Sequence, residues 1–278
     1  KARMTERHPM EPARVMVALP TLGHRLETLE HALRSCQNFP PGISLTVFLV
    51  SPVSAIGARA LGAKYGAQVV DDPGSGMADA INAALEAGGG NEYYVWLGDD
   101  DLLVAEGIRV ALNALENHPR AVVAYGQCEY IDSAGAHITT NRSGAVAKFL
   151  LPWGPNLIPH PGTIVRMEAI RQVGGFASTL AYALDLDLFL RLRKLGAFLA
   201  LPVVTAQFRW HAESLTVSDR RASSREAMKV KKQYLRPWLR WVSPLWNQPV
   251  AWASAIAARR VSYLASQGRS LRGDSLES

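Results

Sequence analysis

Four short apolar runs alternate with three stretches of helical spacing over the first hundred residues, and this alternation most restricts what the chain can fold into. The runs are 14–20 (RVMVALP), 45–50 (LTVFLV), 68–70 and 93–97 (YYVWL). Short, continuously apolar runs bounded by Pro, Gly and Ser read as strands buried on both faces. Between them, Leu26, Leu29, Leu33 and Cys36 share one face of a helix, 55–65 reads as a second helix, and 77–87 (MADAINAALEA) as a third, closed by Gly88-Gly89-Gly90. Strand–helix alternation of this kind implies a mostly parallel, doubly wound α/β sheet. Ligands bind such sheets at the carboxyl ends of the strands. The turns at Pro20-Thr21, Asp71-Asp72 and Asp99-Asp100-Asp101 are therefore expected on one edge.

The second half is less regular. Its pattern predicts a helix over 104–116, a strand over 121–125, a hairpin over 129–138 around Ser133-Ala134-Gly135, and a shaped loop over 149–160. A strand over 162–166, a helix over 167–173 stopped by Gly174-Gly175, a helix over 184–195 and a strand over 203–208 follow. Asp185 and Asp187 open the 184–195 helix and Arg191, Arg193 and Lys194 close it, which suits the helix dipole.

With 278 residues, 48% hydrophobic and 19% charged, the chain can hold one large α/β domain or two small ones. Its two cysteines, Cys36 and Cys128, exclude a disulfide scaffold and a cysteine zinc site and fit a reducing compartment. No apolar run approaches the roughly 18 residues of a membrane span. The expected organisation is a disordered leader over 1–13, a ligand-binding half over 14–104, a second half of the same domain over 105–218, and a basic helical extension over 219–278. That extension carries 12 of the 30 Lys and Arg but only 4 of the 24 Asp and Glu, and four of the seven tryptophans.

Three constellations could carry chemistry. Adjacent carboxylates at 99–101 repel one another, so they call for a neutralising cation, and hard oxygen ligands suit Mg²⁺ or Mn²⁺. The bland alternative is a solvated acidic turn. Asp185, in the first turn of its helix, is a candidate general base, against simple complementation of the dipole. His211, after a strand-like run, is a candidate ligand, against an ordinary packed or surface histidine. Gly74-Ser75-Gly76 before the 77–87 helix could cradle a phosphate, but it lacks the third glycine of a dinucleotide fingerprint.

In order along the chain, several segments resemble the family 2 glycosyltransferases. They are Pro20-Thr21 with Arg25, the G-x-x-D-A-x-N-like 76–82, and Trp96-Leu97-Gly98-Asp99-Asp100-Asp101, which is similar to the DxD region. His160-Pro161-Gly162-Thr163 through Arg166 to Gly174-Gly175-Phe176, the 183–192 stretch ALDLDLFLRL, and Arg209-Trp210-His211-Ala212-Glu213-Ser214 follow. The resemblance covers about 14–218. It implies a GT-A fold and inverting transfer of a sugar from a nucleotide-diphosphate donor to a hydroxyl acceptor, using Mn²⁺ or Mg²⁺. It further implies Asp185 as catalytic base, Asp100, Asp101 and His211 at the metal, and Pro20, Thr21, Arg25, Asp72, Asp79, Asn82 and Asp99 at the donor. His160, Arg166 and Asp187 fall to the acceptor. Two positions depart from the pattern. Ser51-Pro52 stands where an Asp commonly holds the donor's base, leaving that task to Asp71, Asp72 or backbone groups, and Leu184 stands where the Glu of an E-D pair would be.

A nucleotidyltransferase would want a Gly-rich basic loop after the first strand, where PTLGHR has one glycine. A non-catalytic nucleotide- or membrane-binding module is the other alternative, and the intact triplet and Asp185 speak against it. Eight cations within 220–240, against the single acid Glu226, stand beside Trp238, Trp241, Trp246 and Trp252. This is the composition of a segment that docks on an anionic membrane surface, expected over 220–252. It predicts a peripheral protein at the cytoplasmic face of the cell membrane, with a lipid-linked or cell-surface glycan acceptor, no nucleic-acid partner, and possible self-association.

Overall fold

The computed structural model describes residues 11–142, 144–210 and 220–235, with positions 256, 260, 261 and 263. Strands β1 (Ala13–Pro20), β2 (Ile43–Ser51), β3 (Gln68–Asp71) and β4 (Tyr93–Trp96) alternate with helices α1 (Leu26–Ser35), α2 (Ile56–Lys64) and α3 (Met77–Ala87). These four strands are parallel, in the order β3-β2-β1-β4. β1 is the buried centre, and its register with β2 brings Pro20 beside Val50 at the carboxyl edge.

The sheet continues through β8 (Ile164–Arg166), β6 (Ala121–Ile131), β9 (Ala197–Arg209) and β5 (Leu102–Leu103), with β7 (His137–Asn141) hairpinned onto β6. β8 is antiparallel to both β4 and β6, whereas β6 and β9 run parallel. The two halves read from the sequence therefore share one sheet. α4 (Ala105–Asn117), α5 (Gly144–Leu150), α6 (Met167–Val173), α7 (Leu184–Leu192) and α8 (Arg220–Tyr234) complete the described elements.

Strand side chains alternate between two cores, as a period of two requires. Met16, Ala18, Phe48, Val50 and Tyr94 meet α3, α6 and α7 on one face. Val15, Val17, Leu19, Val47, Leu49, Tyr93 and Val95 meet α1, α2 and α4 on the other. α4 approaches β9 so closely that a Cβ on Gly107 would lie 1.8 Å from the Val204 carbonyl oxygen.

Four elements differ from expectation. β6 and β9 are longer than their apolar runs because they pair with each other along most of their length. α5 occupies 144–150, where the sequence signals only the start of a loop, and Ala147 is its one buried side chain. The basic run begins as α8, which packs on the domain, with Val230, Lys231 and Leu235 buried. The four tail tryptophans lie outside the described residues, as does the 1–10 part of the expected leader. Among the described residues no helix is long and apolar enough to cross a membrane.

Candidate active site

β4 ends at Trp96, and the chain turns through Gly98 so that Asp99, Asp100 and Asp101 follow at the carboxyl edge, all three buried. Three neighbours hold them. The Thr21 hydroxyl, just past β1, donates to Asp99 Oδ2 at 2.6 Å. Arg25, at the start of α1, spans two carboxylates, with Nη2 2.6 Å from Asp99 Oδ1 and Nη1 2.7 Å from Asp100 Oδ2. Arg209, at the end of β9, donates its backbone N–H to Asp101 Oδ1 at 3.1 Å and its Nε to the Asp100 carbonyl at 3.1 Å. Its Nη1 reaches the carbonyls of Asp132 and Ser133, tying the β6–β7 turn to the triplet.

Burial pushes the Asp99 carboxyl up, against the opposing pull of Thr21 and Arg25. Asp101 is pushed well above the usual carboxylate range, by burial first and then by the charge of Asp100. The space over Gly98 is a cradle for oxygen ligands. A Cβ there would sit 2.7 Å from Asp101 Oδ2 and 3.2 Å from Asp100 Oδ1. Two hard carboxylate oxygens converging on one side-chain-free spot fit Mg²⁺ or Mn²⁺ by donor type. Among the described residues no group of three His, Cys, Asp or Glu is disposed to hold a metal ion. His211 lies outside the described residues.

The second carboxylate centre is Asp185, in the first turn of α7. Its Oδ1 accepts the Leu186 N–H at 2.7 Å, and its Oδ2 accepts Asn156 Nδ2 at 2.8 Å. Burial pushes its carboxyl up to about 6, tempered by these donors. The segment 151–161 links the two centres: Asn156 touches Asp185, and Pro161 bridges to Trp96 beside the triplet.

His160 lies in this segment, but it is enclosed. Its ring meets Trp96 edge-on at 3.8 Å and packs against Phe176 and Phe189. Burial holds it well below the usual imidazole range, so it is neutral, and both ring nitrogens are closed off from the surface. In this conformation it supports the wall behind Trp96 rather than presenting an atom to an acceptor.

Other expected site residues are engaged elsewhere. Arg166 pairs opposite Tyr93, at the far end of β4 from the triplet, and donates to the carbonyls of Ala121 and Leu115. There it anchors β8 to β6 and α4. Asp187 faces away from Asp185, because two residues on a helix are separated by about 200°. Its carboxylate takes Arg191 at 2.7 Å and the Tyr234 hydroxyl at 2.9 Å, so it fastens α7 to α8. Asn82 makes two 2.9 Å hydrogen bonds to the Phe176 backbone, and Asp79 accepts the Ser178 hydroxyl, so both latch α3 to the 175–178 loop. Pro20 and Asp72 stand on the carboxyl edge, Asp72 accepting the Gly74 N–H at 2.9 Å. Asp71 is paired with Arg59 at 2.8 Å.

Residues that sequence reasoning did not place at the site are Arg209, Asn156 and Glu226. Glu226 accepts the backbone N–H groups of Ala181, Tyr182 and Ala183 at 2.6–3.0 Å, just ahead of α7. Arg209 stood inside the R-x-H segment, and Glu226 was the one acid in a basic run, so both carried a signal. Asn156, in a loop of irregular composition, carried none.

No family model and no curated protein matches the sequence. Solved structures do match. S. aureus TarS 1–349 superposes with a TM-score of 0.59 at 16% identity over 79% of this chain, and its complex with UDP-GlcNAc gives the same values. The chain spans 64% of the length of that TarS structure. The mannosyltransferase PcManGT from Pyrobaculum calidifontis, in complex with GDP-Man and Mn²⁺, matches with a TM-score of 0.62 at 16% identity over 96% of this chain and 84% of its own. At this identity the likeness establishes the fold alone: the chain has the α/β fold, with its curled, mostly parallel sheet, that is seen in TarS and in this mannosyltransferase.

Proposed function

We propose that the protein is an inverting glycosyltransferase that moves a sugar from a nucleotide-diphosphate donor to a hydroxyl acceptor. The observation that carries the reading is the pair of carboxylate centres, one a buried triplet braced by Arg25 at the edge where such sheets take ligands, the other Asp185. In the reaction the acceptor oxygen attacks the anomeric carbon. The bond to the diphosphate breaks with its electron pair, and the acceptor proton passes to a base. Asp185 supplies that base: a carboxyl near 6 is ionised at neutral pH yet more basic than a solvated carboxylate. Arg25 and the triplet turn hold the donor's charged end, and Thr21 fixes Asp99 for the ribose or the sugar. A Mg²⁺ or Mn²⁺ ion held by Asp100 and Asp101 would supply charge stabilisation for the leaving diphosphate.

The neighbours' ligands set the first donors to try. Release of UDP from UDP-GlcNAc and of GDP from GDP-Man, without acceptor, is measured with Mn²⁺, Mg²⁺ or EDTA. Metal-dependent release is expected with one of them, and Asp100→Asn should abolish it while leaving the circular dichroism spectrum intact. Unchanged release by that variant overturns the site assignment. Full activity in EDTA would give the neutralising role to Arg25 alone.

A further inference from the structure

Asn156 fastens the 151–161 loop to the residue on which the proposed chemistry turns. Its side-chain oxygen accepts the Ile158 N–H at 3.3 Å, which turns the NH₂ end toward α7, where Nδ2 meets Asp185 Oδ2 at 2.8 Å. The orientation of the amide is therefore set by its own loop. Two residues earlier, the buried Lys231 of α8 donates to the Gly154 carbonyl, so the loop is held from behind by the basic helix.

We infer that Asn156 is the positioning residue for Asp185: it fixes the rotamer of the carboxylate and favours its ionised form through one donated hydrogen bond. The inference rests on the reading of Asp185 as the base. The carboxylate is met by three donors, the Leu186 N–H on Oδ1, Asn156 on Oδ2 and its own backbone N–H, and Asn156 is the one side chain among them. The lone-pair directions they leave are those offered to an acceptor hydroxyl. A donor to the charged form stabilises it, whereas burial opposes it, and Asn156 works against burial.

The other ionisable groups around Asp185 leave this role to Asn156. Tyr94 on β4 is buried and held in its neutral form. His160 is neutral in its aromatic enclosure. On α7, Asp187 is paired with Arg191. Glu226 of α8 is bound to the 181–183 amides.

The test reads Asp185 directly, without substrate. Protein labelled with ¹³C at the aspartate carboxyl carbon is titrated by NMR from pH 4 to 9, with Asp185→Asn identifying the signal. Asn156→Ala should raise the midpoint by about one unit, and Asn156→Asp, which sets a second carboxylate beside the first, by about two or more. The acid limb of the pH–rate profile for nucleoside diphosphate release should move by the same amounts. An unchanged midpoint in both variants overturns the inference and leaves the assignment of the base standing. A moved midpoint with an unmoved acid limb overturns the base assignment, and the positioning role with it. If Asn156→Asp fails to fold, judged by near-ultraviolet circular dichroism, Asn156→Ala carries the test alone.

Discussion

Asp185→Asn should make the protein more stable while it disables transfer. Folding moves the Asp185 carboxyl from 3.8 to about 6. At 1.36 kcal/mol per unit, about two units amount to about 3 kcal/mol. The sign follows from proton binding. An acid whose folded value is raised binds its proton more tightly when native, so its effect is absent below about pH 4. Stability then falls as pH rises through the window from 4 to 6 and stays lowered above it. Asparagine is nearly isosteric and carries no charge, so the variant escapes this loss. It keeps one acceptor oxygen for the Leu186 N–H but sets its NH₂ against that of Asn156, at a cost of about 1 kcal/mol. The balance is a gain of about 2 kcal/mol at pH 8 and a loss of up to about 1 kcal/mol at pH 4, and a rise in Tm of roughly 4–8 °C at the higher pH for a domain of this size. Calorimetry of both proteins at the two pH values reads the difference. Loss of a general base should lower turnover by about 10²–10⁴. A stability difference that does not grow between pH 4 and pH 8 would refute the claim that Asp185 is held in a desolvated site.

Glu226→Gln should lower the urea midpoint, with a loss of about 1–3 kcal/mol, because three N–H groups ahead of α7 lose a charged acceptor; an unchanged midpoint would show that α8 does not brace that segment. The tail should bring the full chain down with anionic vesicles and release it at high salt. Because 220–235 packs on the domain, the control is not a truncation but Ser in place of Arg236, Trp238, Arg240 and Trp241, and co-sedimentation that survives these changes would sink the membrane reading.

What the sequence by itself determined lies where local pattern and tertiary environment agree. β1, the second half of β2 and most of β4 are buried on both faces, so their apolar runs are continuous, and α3 runs over Met77–Ala87 as its periodicity predicts. Gly174, in the left-handed conformation at φ 77°, ends α6 where a glycine stop is expected. The triplet was legible because three adjacent carboxylates at the end of a buried strand are costly without a partner. Asp185 was legible from its place in a helical first turn. Only the tertiary structure decided which polar groups face one another. Arg25 reaches Asp99 and Asp100 across some seventy-five positions of chain, and Arg209 reaches Asp101 across 108. Residue type alone cannot distinguish an Arg or Asn that binds a ligand from one that satisfies backbone groups. Arg166, Asn82 and Asp187 read as site residues from their type and place, and in the structure they make ties within the fold. The same holds for the basic extension. Its charge is a property of composition, but Lys231 buried against Gly154 and Glu226 beneath α7 follow from which face of α8 meets the domain, and the energy that chooses that face comes from contacts with residues far away in the chain.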